Sequence, residues 1–179
     1  MDQLIRVDEL SRGYLFEAYV LHIFRYGGHT FEIKELFGQC QKGRLKIPKN
    51  PPIHNFRQPK DLNIRLTGND LLLPSVPNFP CIDLVLGPNK LIQVTTTKDH
   101  PLKQSRLEQI ANNVLAGNPE IYFVVSGDIY NDFKPQKFTT KSGEISKSTP
   151  TVVSSMKQYA LKFDLIAAKT GSPGIRICR

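Results

Sequence analysis

The fold of this chain is organised around Phe79–Thr97, FPCIDLVLGPNKLIQVTTT, which holds two β-rich runs separated by turn-forming residues. The runs Phe79–Leu86 and Leu91–Thr97 flank Gly87-Pro88-Asn89-Lys90, and this order predicts a β-hairpin. Apolar side chains recur at every second position, as expected for a face that is buried in a core. The side chains on that predicted face are Ile82, Leu84, Leu86, Ile92 and Val94.

Two polar side chains interrupt these apolar runs, Asp83 in the first and Gln93 in the second. A carboxylate set among apolar residues is costly unless it is hydrogen-bonded, paired or bound to a metal. If the loop between the strands has an odd number of residues, the register places Asp83 opposite Gln93 on one face. A loop with an even number of residues would separate the two side chains.

Before the hairpin, the sequence predicts a helix, a strand and a long irregular segment. Ser11–Tyr26 is apolar on nearly every side and is followed by Gly27-Gly28, which favours a buried helix with a glycine cap. His29–Leu36 alternates apolar and polar residues as a strand does. Gly38–Asn78 contains six prolines and much of the basic charge, so we expect it to be irregular apart from a short strand at Leu71–Leu73.

After the hairpin, a second helix and a fully buried strand are predicted. Asp99-His100-Pro101 offers a helix cap and a first-turn proline, and an apolar stripe follows until Gly117 and Pro119. Ile121–Ser126 is a continuous apolar run of strand length, which is typical of a strand covered on both faces. The stripe consists of Leu107, Ile110, Ala111, Val114 and Leu115.

The C-terminal part of the chain is rich in Lys, Ser and Thr. Asn131–Pro150 is polar, Thr151–Tyr159 is expected to form a short helix, and Leu161–Leu165 alternates like a strand at the edge of a sheet. The order of elements predicts a single α/β domain with a mixed central sheet flanked by helices. Its predicted parts are a core at about residues 11–126, a basic insertion at 38–78 and a basic tail at 127–179.

The chain is basic, and the charge is concentrated in two segments. It carries 24 Lys and Arg against 16 Asp and Glu, a formal net charge of +8. Residues 134–179 hold nine basic side chains against two acids, and residues 42–65 hold seven against one. Such surfaces suit a polyphosphate, because each neutralised phosphate releases counterions, while solubility or acidic protein partners are the alternatives. The predicted nucleic-acid contacts are Lys42, Arg44, Lys46, Lys49 and Lys103.

The cysteines and the N-terminus indicate an intracellular protein. Cys40, Cys81 and Cys178 are odd in number and far apart, which favours a reducing compartment, and no histidine is spaced to complete a zinc site. Residues 1–10 lack the apolar run of a secretory signal, and no stretch reaches the roughly 18 apolar residues of a membrane span. We therefore expect no membrane partner.

A third polar residue, Glu17, interrupts the predicted first helix. Together with Asp83 and Gln93 it would provide the carboxylate and amide oxygens that Mg²⁺ prefers. Such an ion polarises a phosphate and acidifies an attacking water, so the three side chains are candidate metal ligands of a phosphodiesterase. Glu17 also has simpler alternatives, since it can reach solvent at the helix edge or pair with Arg12 or Lys34.

The order of these residues resembles that of a known superfamily. A Glu in the first helix, an Asp in one strand and a Glu/Gln-x-Lys in the next, followed by a helix and a strand, is the PD-(D/E)xK or restriction-endonuclease-like arrangement. Within it, Ile82–Val85, Leu91–Thr95 and His100–Lys103 are similar to the nuclease-type domain of Crinkler effectors and retrotransposon hot spot proteins. The resemblance covers about Phe16–Ser126.

The resemblance implies a restriction-endonuclease-like fold, Mg²⁺ or Mn²⁺ as cofactor, and a nucleic-acid substrate that is DNA rather than RNA. It also implies an effector that acts in the nucleus, inside a host cell if it is secreted. Related domains are often joined to a P-loop NTPase domain in a longer parent chain. The phosphate-binding motif GxxxxGK[ST] of such a domain is not present in this sequence.

Carried over residue by residue, the resemblance makes Glu17, Asp83 and Gln93 metal ligands and puts Thr95 where the superfamily has its lysine. That lysine supplies fixed positive charge beside the attacking water, and losing one such preorganised donor costs on the order of 10²- to 10³-fold in rate. The lysines that could replace it are Lys98, Lys103 and Lys34, each otherwise an ordinary surface lysine. The candidate catalytic residues are Glu17, Asp83, Gln93, Thr95 and Lys98.

Three functions are open on these observations. The first is Mg²⁺-dependent cleavage of DNA. The second is a nuclease-derived module that holds nucleic acid through Lys42–Lys49 and the basic tail without cutting it. The third is an effector that binds a host protein and whose charge keeps it soluble.

Overall fold

The computed structural model of the chain describes residues 2–38, 41–64, 66–114 and 117–164. Residues named above that lie outside these ranges are Cys40, Leu115, Leu165 and Cys178, together with the rest of the basic tail from residue 165 onward. The described helices are α1 (Asp2–Tyr26), α2 (Gln104–Ala111), α3 (Gly127–Tyr130) and α4 (Thr151–Ser154), with a 3₁₀ helix at Pro59–Leu62. The described strands are β1 (Thr30–Glu35), β2 (Lys42–Lys46), β3 (Ile53–Phe56), β4 (Leu71–Pro74), β5 (Leu84–Leu86), β6 (Lys90–Val94), β7 (Leu102–Lys103), β8 (Glu120–Ser126), β9 (Phe138–Thr139) and β10 (Lys157–Phe163).

Eight of these strands form one mixed sheet in the order β2-β1-β10-β8-β6-β5-β4-β3. The strands β6, β8 and β10 run parallel to one another at its centre, and β1 and β5 pair antiparallel on either side of them. Apolar residues of α1 pack on one face of the sheet, and those of α2, α3 and α4 pack on the other. The predicted α/β fold, with a mixed central sheet flanked by helices, is thereby confirmed.

Two of the central strands, β8 and β10, differ in how well their sequences predict them. β8 is buried on both faces, as expected from its continuous apolar run. The prediction of an edge strand at Leu161–Leu165 is wrong, because β10 lies between β1 and β8. One face of β10 carries Ala160 and Gln158, and the amide of Gln158 is buried in hydrogen bonds with the backbone of Gln136. This face of β10 is buried, but because it carries a polar residue and a small one, the sequence does not show the apolar pattern of a strand covered on both faces.

The first helix is longer and less buried than its sequence suggests. It spans 25 residues and is followed by Gly27 and Gly28, whose φ angles of 59° and 78° confirm the predicted glycine cap. Val20 and Phe24 are buried, whereas Leu15 is 71% exposed. Burial on nearly every side is therefore a wrong prediction, because an open sheet face contacts only one side of a helix. No helix in the described ranges is long and apolar enough to cross a membrane.

The second helix begins later than predicted. Because Leu102–Lys103 pairs with Phe138–Thr139 as β7 and β9, α2 starts at Gln104 and not at Asp99-His100-Pro101. The predicted C-terminal helix is also shorter, since the chain turns into β10 after α4. The apolar stripe of α2 is confirmed, and its buried residues are Leu107, Ile110, Ala111 and, just beyond the helix, Val114.

The segment Gly38–Asn78 is more regular than its prolines suggest. It contributes β2, β3 and the 3₁₀ helix as well as the predicted strand β4, so the prediction of a largely irregular segment is wrong. β2 and β3 are the two edges of the sheet. Edge strands commonly carry charged side chains, and in β2 only Leu45 is buried while its lysines and arginine are exposed. The apolar alternation that reveals a strand is therefore missing.

We predict that Gly27→Ala destabilises the fold far more than Gly143→Ala. Both glycines have a positive φ, 59° and 91°, so each substitution carries a backbone cost of about 1 kcal/mol. A Cβ at Gly27 would also fall on the carbonyl oxygen of Pro48, whereas one at Gly143 meets no atom of the described residues within 4 Å. Urea unfolding should show a loss of roughly 3 kcal/mol or more for Gly27→Ala and about 1 kcal/mol for Gly143→Ala. Equal losses would contradict the close packing at Gly27.

Candidate functional site

The hairpin of β5 and β6 brings the two predicted polar residues together. Its loop is Gly87-Pro88-Asn89, an odd number of residues, and Leu84 is the ladder partner of Ile92. As predicted, Asp83 meets Gln93, whose Nε2 donates a hydrogen bond of 2.8 Å to Asp83 Oδ2. The predicted core face is confirmed for Leu84, Leu86, Ile92 and Val94, which belong to the apolar cluster on the α1 side.

A local irregularity precedes Leu84. The backbone N of Asp83 donates to the carbonyl oxygen of Ile92 at 2.8 Å, although the ladder partner of Ile92 is Leu84. Two residues of one strand thus oppose one residue of the other, as in a β-bulge. The alternation of faces is interrupted there, and Ile82 packs on the α2 side, so its predicted place on the α1 face is wrong. Bulges of this kind commonly re-aim a side chain next to a functional site.

The carboxyl group of Asp83 is held by the neighbouring strand. Its Oδ2 accepts a hydrogen bond of 2.6 Å from the backbone N of Val94 in addition to the bond from Gln93. The buried amide of Gln93 also donates to the carbonyl oxygen of Val94 at 3.2 Å. Because the Nε2 group is used in these two bonds, Oε1 is the Gln93 atom with which a cation could be bound.

The surroundings of Asp83 raise the pKa of its carboxyl from the usual 3.8 to about 7. Burial is the largest cause, the hydrogen bond from Val94 opposes it, and the negative charge of Glu17 adds a further rise. The negative charge of Glu17 therefore acts on the carboxyl group of Asp83. Near neutral pH this effect is relieved either by a proton on Asp83 or by a cation.

The oxygen atoms of Asp83, Glu17 and Gln93 could supply only some of the ligands that a hard cation needs. Among the described ranges, no group of three or more His, Cys, Asp or Glu side chains is arranged to hold a metal ion. A cation would therefore rely on the oxygens of Asp83, Glu17 and the Gln93 amide, with water in the remaining positions. Mg²⁺ accepts such a set, because it is commonly held by one or two carboxylates and keeps several waters.

Thr95, for which the sequence resemblance predicts the position of a lysine, stabilises the loop after β6. Its side chain is buried, and its Oγ1 lies 3.1 Å from Thr97 Oγ1 and accepts a hydrogen bond of 3.2 Å from the Thr97 backbone N. The backbone N of Thr95 donates to the carbonyl oxygen of Val124, which extends the pairing of β6 with β8. The hydroxyl thus holds the loop and carries no charge.

Two of the three candidate replacement lysines are bound elsewhere. Lys98 Nζ donates to Asp132 at 2.9 Å, and Lys34 Nζ donates to the carbonyl oxygen of Asn131 at 2.8 Å. Lys34 is also three strands away from Gln93, which corresponds to about 14 Å across the sheet. Lys103 is exposed in β7, next to the start of α2.

The predicted nucleic-acid contacts do not form one cluster. Lys42, Arg44 and Lys46 are exposed at alternate positions of the edge strand β2. Lys49 follows in the next turn and, with Lys46, lines a cavity of about 650 Å³. Lys103 belongs to a different element. The structure therefore supports a basic edge at β2 and its following turn, without Lys103.

Sequence reasoning missed a second candidate site, a cavity of about 680 Å³ bounded by Lys34, residues 98–99 and residues 131–135, here called the Lys34 cavity. The sequence predicts Lys34 to be a surface lysine unless it pairs with Glu17 or replaces the missing lysine, but it is 8% exposed. The available signal is the alternation in β1, where Phe31 and Ile33 contribute to the core on the α1 side. Lys34 must then point to the opposite face, which the other helices cover.

Comparison of the chain with protein-family models, with curated proteins and with solved structures finds no match in any of the three. A function therefore has to be inferred from the hydrogen bond between Asp83 and Gln93 and from the charge of Glu17 that acts on Asp83. Chemically, this group can bind a hard cation through oxygen atoms, and Asp83 can exchange a proton near neutral pH.

We predict that Asp83→Asn stabilises the metal-free protein at alkaline pH. The folded pKa of about 7 lies above the unfolded value of 3.8, so the folded state binds more protons between these values and wild-type stability falls as pH rises through that window. Asparagine has no proton to lose. From pH 5 to pH 8 the wild type should lose roughly 1 to 3 kcal/mol more than the variant in urea unfolding. Parallel pH profiles would refute the raised pKa.

Asp70→Asn is the matched control, with the opposite sign. Hydrogen bonds from the Thr67 hydroxyl and backbone, together with one from His54, hold the pKa of Asp70 below its usual value. The ionised group therefore stabilises the fold above the unfolded pKa, and this contribution is lost as pH falls through the folded pKa. The variant should be less stable than wild type at pH 7, and the difference should shrink in acid.

Proposed function

We propose that this chain is a nuclease-like domain of the PD-(D/E)xK type that cleaves nucleic acid with the help of a divalent cation. The observation that carries the proposal is the contact between Asp83 and Gln93, together with the charge of Glu17 that acts on Asp83. Its support in the fold is the order of a helix with the Glu, a hairpin with the Asp and Gln, then a helix and a parallel strand. DNA as substrate and a nucleus as the place of action are part of the proposal on the sequence resemblance alone.

The proposed metal ligands are Asp83, Glu17 and the amide oxygen of Gln93. Mg²⁺ or Mn²⁺ bound there would polarise the scissile phosphate and acidify the attacking water. Burial raises the pKa of Asp83, and the negative charge of Glu17 raises it further, so a cation placed there would be favourable. Gln93 carries no charge where the superfamily commonly has a glutamate, so this site has one negative charge less and should bind the ion more weakly.

The chain's own residues would hold the reacting groups in place. Val94 and Gln93 fix Asp83 Oδ2 through two hydrogen bonds, so the carboxylate loses little freedom when it takes up a cation. The buried hydroxyl of Thr95 supplies no positive charge to a developing phosphorane. A missing preorganised donor lowers the rate on the order of 10²- to 10³-fold, so we expect slow cleavage.

A domain that binds nucleic acid without cutting it is the second candidate. Thr95 favours it, because the hydroxyl is engaged with Thr97 and the nearby Lys98 is paired with Asp132. The exposed lysines and arginine of β2 favour binding in either case.

Incubation of the purified protein with plasmid and with single-stranded DNA tests the proposal. We expect cleavage with Mg²⁺ or Mn²⁺, none with a chelator, and a loss of at least about 100-fold in rate for Asp83→Ala. Glu144→Gln removes an exposed acid that is not one of the proposed ligands and should cleave like wild type. Unchanged cleavage by folded Asp83→Ala, verified by circular dichroism, would end the assignment. Binding with no cleavage under any metal would leave the second candidate.

Thr95→Lys tests the role of the missing lysine. If Asp83 and Gln93 hold the cation, a lysine two residues after Gln93 should raise the rate by roughly 10- to 100-fold. Ser142→Lys adds the same charge at an exposed position outside the site and should have no effect on the rate. A similar gain in both variants would indicate general attraction of DNA by charge, and no gain in Thr95→Lys would argue against a superfamily-type site.

A further inference from the structure

The Lys34 cavity lies on the α2 side of the sheet, apart from the contact between Asp83 and Gln93. Leu36 and Phe133, which line it, belong to the apolar cluster on that side. Its volume of about 680 Å³ is within the range of sites for small ligands. The charged side chains that line it are Lys34, Lys98 and Lys134 against Asp99 and Asp132.

Lys34 is a cation that the fold holds in position. Its Nζ donates to the carbonyl oxygen of Asn131 at 2.8 Å and lies 5.2 Å from the centre of the Tyr130 ring. A buried lysine needs such partners to stay charged. Because the side chain is already ordered, an anion that binds to it would cost little further conformational entropy.

The other lysines of the cavity can turn towards an anion. Lys98 and Asp132 are 2.9 Å apart, but their side chains are 55% and 69% exposed, so the pair contributes only about 0 to 1 kcal/mol. A phosphate group can therefore compete with Asp132 for Lys98. Lys134 is exposed at the same opening.

The basic surface continues from this cavity onto β2. Lys42 is the ladder partner of Lys34. Because Leu45 packs on the α1 side, Lys42, Arg44 and Lys46 point to the side of the cavity. They repeat about every 6.8 Å along the strand, close to the separation of successive phosphates in an extended nucleic-acid strand. Glu32 lies 3.5 Å from Lys42, and both side chains are exposed, so this pair is also weak.

We propose that the Lys34 cavity binds one phosphate group of a nucleic-acid strand, and that neighbouring phosphates of the same strand lie along Lys42, Arg44 and Lys46 of β2. This inference rests on the proposed function and adds the path of the strand. Because Lys34 lies about 14 Å from Gln93 across the sheet, the phosphate in the cavity is about two phosphates away from the cleaved one. Free nucleotides carry the same chemical group, but the repeated charges on β2 favour a polymer.

Fluorescence anisotropy with labelled single-stranded DNA tests this, in chelator so that no cleavage occurs. The double variant Lys98→Gln/Lys134→Gln should bind at least tenfold more weakly than wild type. The slope of log K against log salt should also become shallower by about 1.4, as expected for two lost phosphate contacts. Arg25→Gln/Lys90→Gln removes the same charge from positions outside the cavity and outside both basic segments, and should bind within about twofold of wild type.

Several outcomes would overturn the proposal. Equal weakening by the two double variants would mean that only net charge matters. Competition by AMP or inorganic phosphate as strong as that of unlabelled DNA, at equal phosphate concentration, would indicate a small ligand. Lys42→Gln/Arg44→Gln with unchanged affinity but increased aggregation would mean that the charges on β2 only protect a sheet edge.

The binding and cleavage experiments fail independently of each other. Weak binding by Lys98→Gln/Lys134→Gln, without any cleavage by wild type, would support the strand path and disprove the phosphodiesterase. Metal-dependent cleavage, with unchanged affinity of that double variant, would support the phosphodiesterase and disprove the strand path.

Discussion

A carboxyl group at the rim of an apolar sheet loses hydration, and its neighbours have to offset that cost. In this protein, the hydrogen bonds that Asp83 accepts from Gln93 and Val94 do so. They join the beginning of β5 to the end of β6. The bulge before Leu84 and the three-residue loop are the local features that allow this contact. Since β6 pairs with β8 in the parallel centre of the sheet, the site lies beside a strand that is buried on both faces.

The parts of the fold that sequence reasoning predicted are those with strong periodic or glycine signals. The hairpin, the run of β8 and the caps at Gly27 and Gly28 are examples. In the strands that were missed, the alternating apolar pattern is interrupted by polar or charged residues that the position in the sheet requires. Strand β2 carries basic residues at alternate positions because it is an edge, and β10 buries Gln158, which finds its partners in the distant Gln136. No local pattern can reveal a pairing across that separation.

The candidate site was predictable to a similar extent. The parity of a short loop predicted the contact of Asp83 with Gln93, which the structure makes with the help of a bulge, and the charge of Glu17 acts on Asp83. The position of Lys34 was not predictable, because its partner Asn131 and the loop around Lys98 come from distant parts of the chain. The bulge was also hidden, since the alternating apolar residues Ile82, Leu84 and Leu86 predict an uninterrupted strand.

Under the proposed function, the distribution of positive charge favours the binding of nucleic acid over its cleavage. In the superfamily pattern the lysine stands two residues after the Gln93 position, beside the reacting phosphate, but here Thr95 occupies that place and holds a loop. The ordered cation Lys34 lies on the same row of the sheet, three strands away, next to the basic edge. Positive charge at that distance strengthens the hold on a phosphate chain, while its effect on a developing phosphorane at Asp83 falls with separation. A chain arranged in this way should therefore bind nucleic acid more readily than it cleaves it.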